Sequence, residues 1–241
     1  MIVGGWRPAR VTEVIEATPS ARVLRLQVPG WPGSEAGQHV DIRLTAEDGY
    51  QAVRSYSMAS YGPSETIELG VDEVPEGEVS PYLVRDVLPG DELEVKGPLG
   101  GYFVWRPSDQ RPTQLIAGGS GIVPLIAMAR AATDASAAAS VRLLYSVRRP
   151  EDAIYRDELI QLADDGGVDL TWAYTRAAPE AWQGRVGRLD GDSIRAAVWP
   201  SERAPIVYVC GPTGFVEQVA DTLVALGHSA GNVKTERFGG S

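Results

Sequence analysis

QLIAGGSGIVPLIAMARAAT, residues 114–133, runs from an apolar strand through a glycine-rich turn into a helix. That passage decides the class of the C-terminal half. Gly118, Gly119 and Gly121, with Ser120 among them, allow a backbone to approach a pyrophosphate, and Ile122 follows where unpaired helix N–H groups face an anion. Pro124 suits the first helical turn, where its missing N–H costs nothing. Proline stands where the G-x-G-x-x-G fingerprint has its third glycine, so the same residues also serve as an ordinary tight turn. Outward from this stretch, VRLLYSV (141–147), VDLTWAYT (168–175) and PIVYVC (205–210) read as strands. YRDELIQLAD (155–164), DSIRAAV (192–198) and FVEQVADTLVALG (215–227) read as helices between or after them. Strands alternating with helices predict a parallel, Rossmann-like α/β sheet covered on both faces.

The first hundred residues follow another grammar. VTEVIEA (11–17), RVLRLQV (22–28), HVDIRLT (39–45) and ELEVKG (92–97) carry apolar residues at every second position, as half-buried antiparallel strands do. Turn clusters such as PGWPGSEAGQ, AEDGY, YGPSE and LPGD separate them. About six strands so punctuated favour a small six-stranded antiparallel β-barrel over a sandwich. The predicted organisation is two-domain, β followed by α/β, with domains at 1–108 and 109–241. The border lies in the polar, proline-bearing RPSDQRP, residues 106–112. DASAAAS, residues 134–140, reads as a helix end and loop inside the second domain.

One cysteine, Cys210, makes no internal disulfide, structural zinc site or iron–sulfur cluster. His39 and His228 lie far apart in sequence, so no metal centre is expected. The chain carries a net charge of −10, with 22 basic against 32 acidic residues. That sign disfavours nucleic acid, whose binding rests on neutralising phosphates. No run approaches the ~18–20 apolar residues that span a bilayer, and no secretory signal opens the chain. The expectation is a cytoplasmic monomer with no membrane partner, whose chemistry comes from side chains or an organic cofactor.

Three further segments carry chemistry. In RSYSMAS, residues 54–60, Arg54 suits a phosphate, Tyr56 offers a flat face to a ring and Ser57 supplies a hydroxyl; the same residues also fit a plain barrel strand. In EGEVSPYL, residues 76–83, Gly77 and Ser80 stand at G-x-x-S spacing before a short helix. This reads as an anion seat, as N-capping by Ser80 with Pro81 in the first turn, or as both. In YVCGPTGFVEQV, a strand ends at Cys210-Gly211-Pro212, at the carboxyl edge where open parallel sheets bind ligands. Cys210 by itself also reads as a small buried hydrophobe.

RSYSMAS, GEVSPYL, AGGSGIVP and VCGPTGF, in that order and over nearly the whole chain, resemble the ferredoxin–NADP⁺ reductase superfamily. The resemblance implies bound FAD, with NADPH or NADH as hydride donor. It places Arg54 at a flavin phosphate, Tyr56 on the isoalloxazine and Ser57 near flavin N5, with Ser55 also among the cofactor-binding residues. Val71, Gly77, Val79 and Ser80 line the FAD segment, Gly77 to Ser80 receiving its pyrophosphate. Gly118, Gly119, Ser120, Gly121 and Ile122 resemble the pyridine-nucleotide turn, with Ser146 beside it. Cys210, Gly211 and Pro212 stand at the nicotinamide. The tail TERFGGS is implied to bring Glu236 and Phe238 towards the flavin. Ser57, Cys210 and Glu236 are thereby the catalytic candidates, Cys210 by packing at the hydride-transfer position. Asp72 and Glu73 depart from the family, where many relatives carry a basic residue, leaving Arg54 as the main cation for the flavin phosphates.

A 2′-phosphate on the adenosine ribose calls for arginines. Arg148 and Arg149, then Arg176, Arg185 and Arg188, follow the strands where relatives grip it, and they favour NADPH over NADH. The family resemblance implies a separate redox partner, a ferredoxin or an oxygenase component supplied in trans. Two alternatives stand beside this reading. One is a free-flavin reductase that takes flavin as substrate. The other is a docking module that keeps the fold without redox chemistry.

Overall fold

The computed structural model describes residues 5–135 and 141–238, and the chain divides into two compact units between Val104 and Trp105. Trp105 is already part of the second unit. Its indole is buried, and Nε1 donates to the Thr113 hydroxyl at 3.2 Å.

In the first unit, six strands pair antiparallel throughout: β1 (Arg7–Thr18), β2 (Ala21–Gln27), β3 (His39–Thr45), β4 (Gln51–Ser57), β5 (Thr66–Asp72) and β6 (Glu92–Leu99). Their order is β4-β3-β6-β1-β2-β5. The two outer strands then meet. Met58 bridges Leu69, and Ala59 N–H donates to the Glu68 carbonyl at 2.8 Å, closing the sheet into the expected barrel. Closure removes the open edges that antiparallel sheets otherwise present. The alternating apolar positions meet inside: Leu24, Leu26, Val40, Ile42, Ile67, Leu69 and Val95 are all buried. Each such side chain contributes about 1.5–3 kcal/mol on burial. A six-residue helix, α1 (Ser80–Arg85), plugs the barrel with Leu83 and Val84.

The second unit is a five-stranded parallel sheet built from β7 (Thr113–Gly118), β8 (Val141–Val147), β9 (Asp169–Tyr174), β10 (Ile206–Pro212) and β11 (Val233–Phe238). Every residue of β7 is buried, the polar Thr113 and Gln114 included, as in a strand covered on both faces. Helices α2 (Ile122–Asp134), α3 (Arg156–Asp164), α4 (Gly191–Ala197) and α5 (Thr213–Ala225) supply the cover. On one face Ile194 of α4 and Val216, Val219 and Leu223 of α5 pack with Ile116, Leu144, Val207 and Val209. The strand order is β11-β10-β7-β8-β9. The chain therefore winds one way from β7 to β9, then reverses across β7 to β10, making a topological switch point between those neighbours. TERFGGS, read as a tail, is strand through Phe238; its last three residues lie outside the described ones, as do residues 136–140 of the expected loop. No helix among the described residues is long and apolar enough to cross a membrane.

Candidate functional site

The barrel presents one candidate surface along β4. Strand alternation puts Arg54 and Tyr56 on one face and Ser55 on the other, where the Ser55 hydroxyl donates to Asp41 at 2.6 Å. Tyr56 packs against the barrel core, and burial pushes its phenol up to about 12, so it is neutral at physiological pH. Arg54 remains exposed. It is held in place by its own neighbour, Nη1 donating to the Val53 carbonyl at 2.7 Å, and by an ion pair with Glu78. The other Glu78 oxygen accepts from the Tyr50 hydroxyl at 2.7 Å, which with Arg54 holds that carboxyl below its ordinary range. Ser57 ends β4 directly opposite His39 of β3.

Around α1 the structure corrects one expectation. Ser80 does not cap its helix: Val79 stands at the N-cap, and no side chain caps the end. Ser80 is instead buried, its Oγ accepting from Val74 N–H at 3.0 Å, so it fastens the loop after β5. Gly77 is needed beneath it, since a Cβ there would lie 3.0 Å from both Ser80 Oγ and the Val74 carbonyl. Val71 and Val79 are fully buried, which leaves only their main chains to meet a ligand. Both acidic side chains are engaged locally, Glu73 by an ion pair and Asp72 by a hydrogen bond. Arg85 donates to both Glu73 oxygens, pulling that carboxyl down, and Asp72 accepts from the Ser20 hydroxyl at 2.8 Å.

The parallel sheet presents a second surface at its switch point, where β7 and β10 end side by side. Gly119 adopts φ +54 and faces open space, a left-handed turn that glycine takes without cost. Gly121 sits against β10 so closely that a Cβ would meet the Cys210 carbonyl oxygen at 2.1 Å. Gly118 and Gly211 are both pressed against the ring of Phe215, with 2.7 and 2.8 Å to a hypothetical Cβ. Ser120 lies in the same turn, Ile122 begins α2 and is buried, and Ser146, next to last in β8, pairs beside Gly118. Backbone thus forms the floor, and α2 begins at its edge, the Ile122 N–H turned to the Gly119 and Ser120 carbonyls. The 13 residues of α2 give it a substantial dipole, so this cradle suits a diphosphate.

Cys210 is buried at the C-terminal end of β10, level with Glu236 on β11. Desolvation, reinforced by the Glu236 charge, pushes its thiol well up, so it is a neutral packing group and not a nucleophile. Pro212 is exposed at the strand end opposite Phe238, itself half-exposed. Phe215 escaped the sequence reading. Its signal was present, an aromatic four residues after Gly211 in the first turn of a helix, but only packing shows that two glycines exist to admit it.

The five arginines divide into two groups. Arg149 is paired with Glu151 and Asp152, and Arg185 with Asp190, the N-cap of α4. Arg148 and Arg176 are exposed and make no ion pair among the described residues. They follow neighbouring strands, and Arg176 N–H donates to the Arg148 carbonyl at 2.9 Å, so the two side chains leave adjacent backbone. Arg188 is likewise exposed. Among the described residues no three His, Cys, Asp or Glu side chains group as metal ligands.

Comparison with known proteins matches each unit to a family model. Residues 8–104 match the family model of the oxidoreductase FAD-binding domain, and residues 115–221 that of the oxidoreductase NAD-binding domain. NADH-cytochrome b5 reductase 1 of Candida glabrata is 31% identical over 81% of this chain and 69% of its own length. The ferredoxin–NAD(P)⁺ reductase component of the naphthalene 1,2-dioxygenase/salicylate 5-hydroxylase systems of a Ralstonia species is 28% identical over 95% of this chain and 67% of its own. The chain therefore spans about two thirds of the length of these relatives. Among solved structures, the Amycolatopsis cytochrome P450 reductase GcoB superposes with a TM-score of 0.83 at 28% identity, over 99% of this chain and 72% of that one. A six-stranded antiparallel barrel followed by a parallel sheet with a glycine turn at its switch point belongs to one lineage: the chain is a member of the ferredoxin–NADP⁺ reductase and cytochrome b5 reductase family of NAD(P)H–FAD oxidoreductases.

Proposed function

We propose that this chain takes a hydride from a reduced nicotinamide nucleotide onto bound FAD and delivers the electrons to a separate acceptor protein. The observation that carries the reading is the cradle where β7 meets β10: Gly118, Gly119 and Gly121 against Cys210 and Gly211, with the Phe215 ring packed on Gly118 and Gly211. Bound FAD supplies two-electron uptake and one-electron release. The chain's residues hold and orient. Arg54 meets a flavin phosphate, Tyr56 gives its face to the ring system and Ser57 offers a hydroxyl at the end of β4. Gly118 to Gly121 and the start of α2 hold the nucleotide diphosphate, and Cys210, Gly211 and Pro212 shape the nicotinamide end. Glu236, level with Cys210, is the carboxylate able to hold or release a proton there.

For the nucleotide, we infer a preference for NADPH. Arg148 and Arg176 carry the only uncommitted guanidinium pair on adjacent backbone among the described residues after β8 and β9, and a 2′-phosphate is the ligand such a pair suits. For the acceptor, the relatives named after cytochrome b5, a dioxygenase ferredoxin and a cytochrome P450 support a redox protein over a small molecule.

Purification followed by desalting tests the reading. Yellow protein whose flavin band bleaches on adding NADPH, and recovers on adding an oxidised redox protein, supports it. Colourless protein that consumes NADPH only with added free flavin supports the flavin-as-substrate alternative. Flavin-loaded protein inert to both nucleotides overturns it.

A further inference from the structure

Residues 148–155 carry the chain from the end of β8 to the start of α3, with Arg148 at the head of that connection. The connection ends on a strained residue. Tyr155 sits at φ 58 and ψ 23, left-handed backbone that glycine enters without cost and a bulky side chain does not. Its ring offsets the strain by lying under the Arg130 guanidinium, 5.3 Å from the ring centroid. We propose that Tyr155 is a positioning residue for nucleotide choice, fastening this connection so that Arg148 is held ready for a 2′-phosphate. The inference rests on the NADPH reading of Arg148 and Arg176.

Three segments meet on one guanidinium. Arg130 belongs to α2, Tyr155 ends the connection, and Glu158 belongs to the first turn of α3. Glu158 takes the guanidinium through both oxygens, at 2.6 and 2.7 Å, a two-bond geometry that fixes direction as well as distance. Since α2 begins at the glycine cradle, whatever Arg130 holds is held relative to the diphosphate seat. The rest of the connection is fastened too. The Arg148 carbonyl accepts from the Arg176 and Ala177 N–H groups at 2.9 and 3.2 Å, and the buried Ile154 N–H donates to the Tyr145 hydroxyl at 3.2 Å. Arg149 is taken by Glu151 and Asp152 within the connection, so Arg148 is the guanidinium it presents. This rigidity matters to one nucleotide and not to the other. A connection that had to be ordered on binding would subtract that entropy from NADPH, whose 2′-phosphate is the group Arg148 suits. NADH lacks that group and gains nothing from the order.

Steady-state kinetics of the FAD-loaded protein with ferricyanide as acceptor test it, alongside isothermal titration with NADP⁺ and NAD⁺. Tyr155→Gly relieves the backbone and removes the ring. It is expected to raise KM and Kd for the phosphorylated nucleotide about fivefold, the scale of ordering a side chain and its loop. The unphosphorylated nucleotide and kcat are expected to stay within about twofold of wild type. Tyr155→Phe keeps the ring and is expected to keep the discrimination. Arg130→Gln removes the grip from the other side and is expected to act like Tyr155→Gly; it carries the test should the glycine variant not fold. Unchanged discrimination in the folded variants overturns the proposal. So does a parallel loss with both nucleotides, or a Tyr155→Phe as impaired as Tyr155→Gly. Wild type with equal affinity for both nucleotides overturns the 2′-phosphate reading itself.

Discussion

Gly121 lies so close to the Cys210 carbonyl that a Cβ would fall 2.1 Å from the oxygen. Both partners are backbone in regular structure, the start of α2 and the end of β10, so neither yields without moving an element. Gly121→Ala is expected to destabilise the chain by about 3 kcal/mol, the upper end of overpacking costs. Gly214→Ala is the control, because open space surrounds that helical position, and it is expected to stabilise by about 0.5 kcal/mol. Urea titrations of both variants check the contrast; equal midpoints would remove the steric account of the cradle.

Arg54, proposed above to meet a flavin phosphate, is already paired with Glu78. Glu78→Gln keeps the Tyr50 hydrogen bond and removes the competing charge, so FAD is expected to bind severalfold more tightly. Arg54→Ala is expected to weaken it by about tenfold or more, the loss of a charge-assisted bond. Raising salt should narrow the difference, since both groups are exposed. Affinities from flavin absorbance after dialysis decide it; an unchanged Glu78→Gln would show that the ion pair does not compete.

The two uncommitted arginines set an expectation for nucleotide choice. Arg148→Ala and Arg176→Ala should each raise KM for NADPH by about tenfold and leave NADH within twofold. Arg149→Ala and Arg185→Ala should do little, because aspartates and a glutamate already occupy those side chains. Steady-state kinetics with both nucleotides check this, and equal loss with NADH and NADPH would remove the phosphate role.

Cys210 ties stability to alkaline pH. Its folded thiol titrates above the unfolded one, so below about pH 8.5 both states keep the proton and the contribution is intact. Above that the unfolded thiol ionises while the buried one does not, and stability falls as pH rises. Cys210→Ala is expected to flatten this limb between about pH 8.5 and 10. Native thiol titration should find the group unreactive until denaturant is added; rapid labelling at pH 8 would contradict its burial.

The architecture was legible because it rests on local periodicity. Alternation in RVLRLQV and HVDIRLT marked barrel strands, and strands alternating with helices marked a parallel sheet covered on both faces. Contacts between distant segments were not legible. Nothing near Arg54 announces Glu78, 24 residues on, and nothing near Ser80 shows its hydroxyl turned back to Val74. Arg185 looked like any arginine of its loop until Asp190 was seen to hold it. The TERF segment has too few residues to reveal its period, and only pairing with β10 makes it a strand. Residue types announced the ligand classes, then, while charge pairing decided which of the candidate residues stay available.

Phe215 has a consequence for transplanting or redesigning the nucleotide seat. Its ring is the shared wall of Gly118 and Gly211, and Gly121 is keyed to the strand end that carries Gly211. The glycine turn of residues 118–121 is not complete by itself. Here that turn is half of a lock, whose other half lies some ninety residues later in the chain. Residues 118, 121, 210, 211 and 215 form one module, to be moved together or not at all.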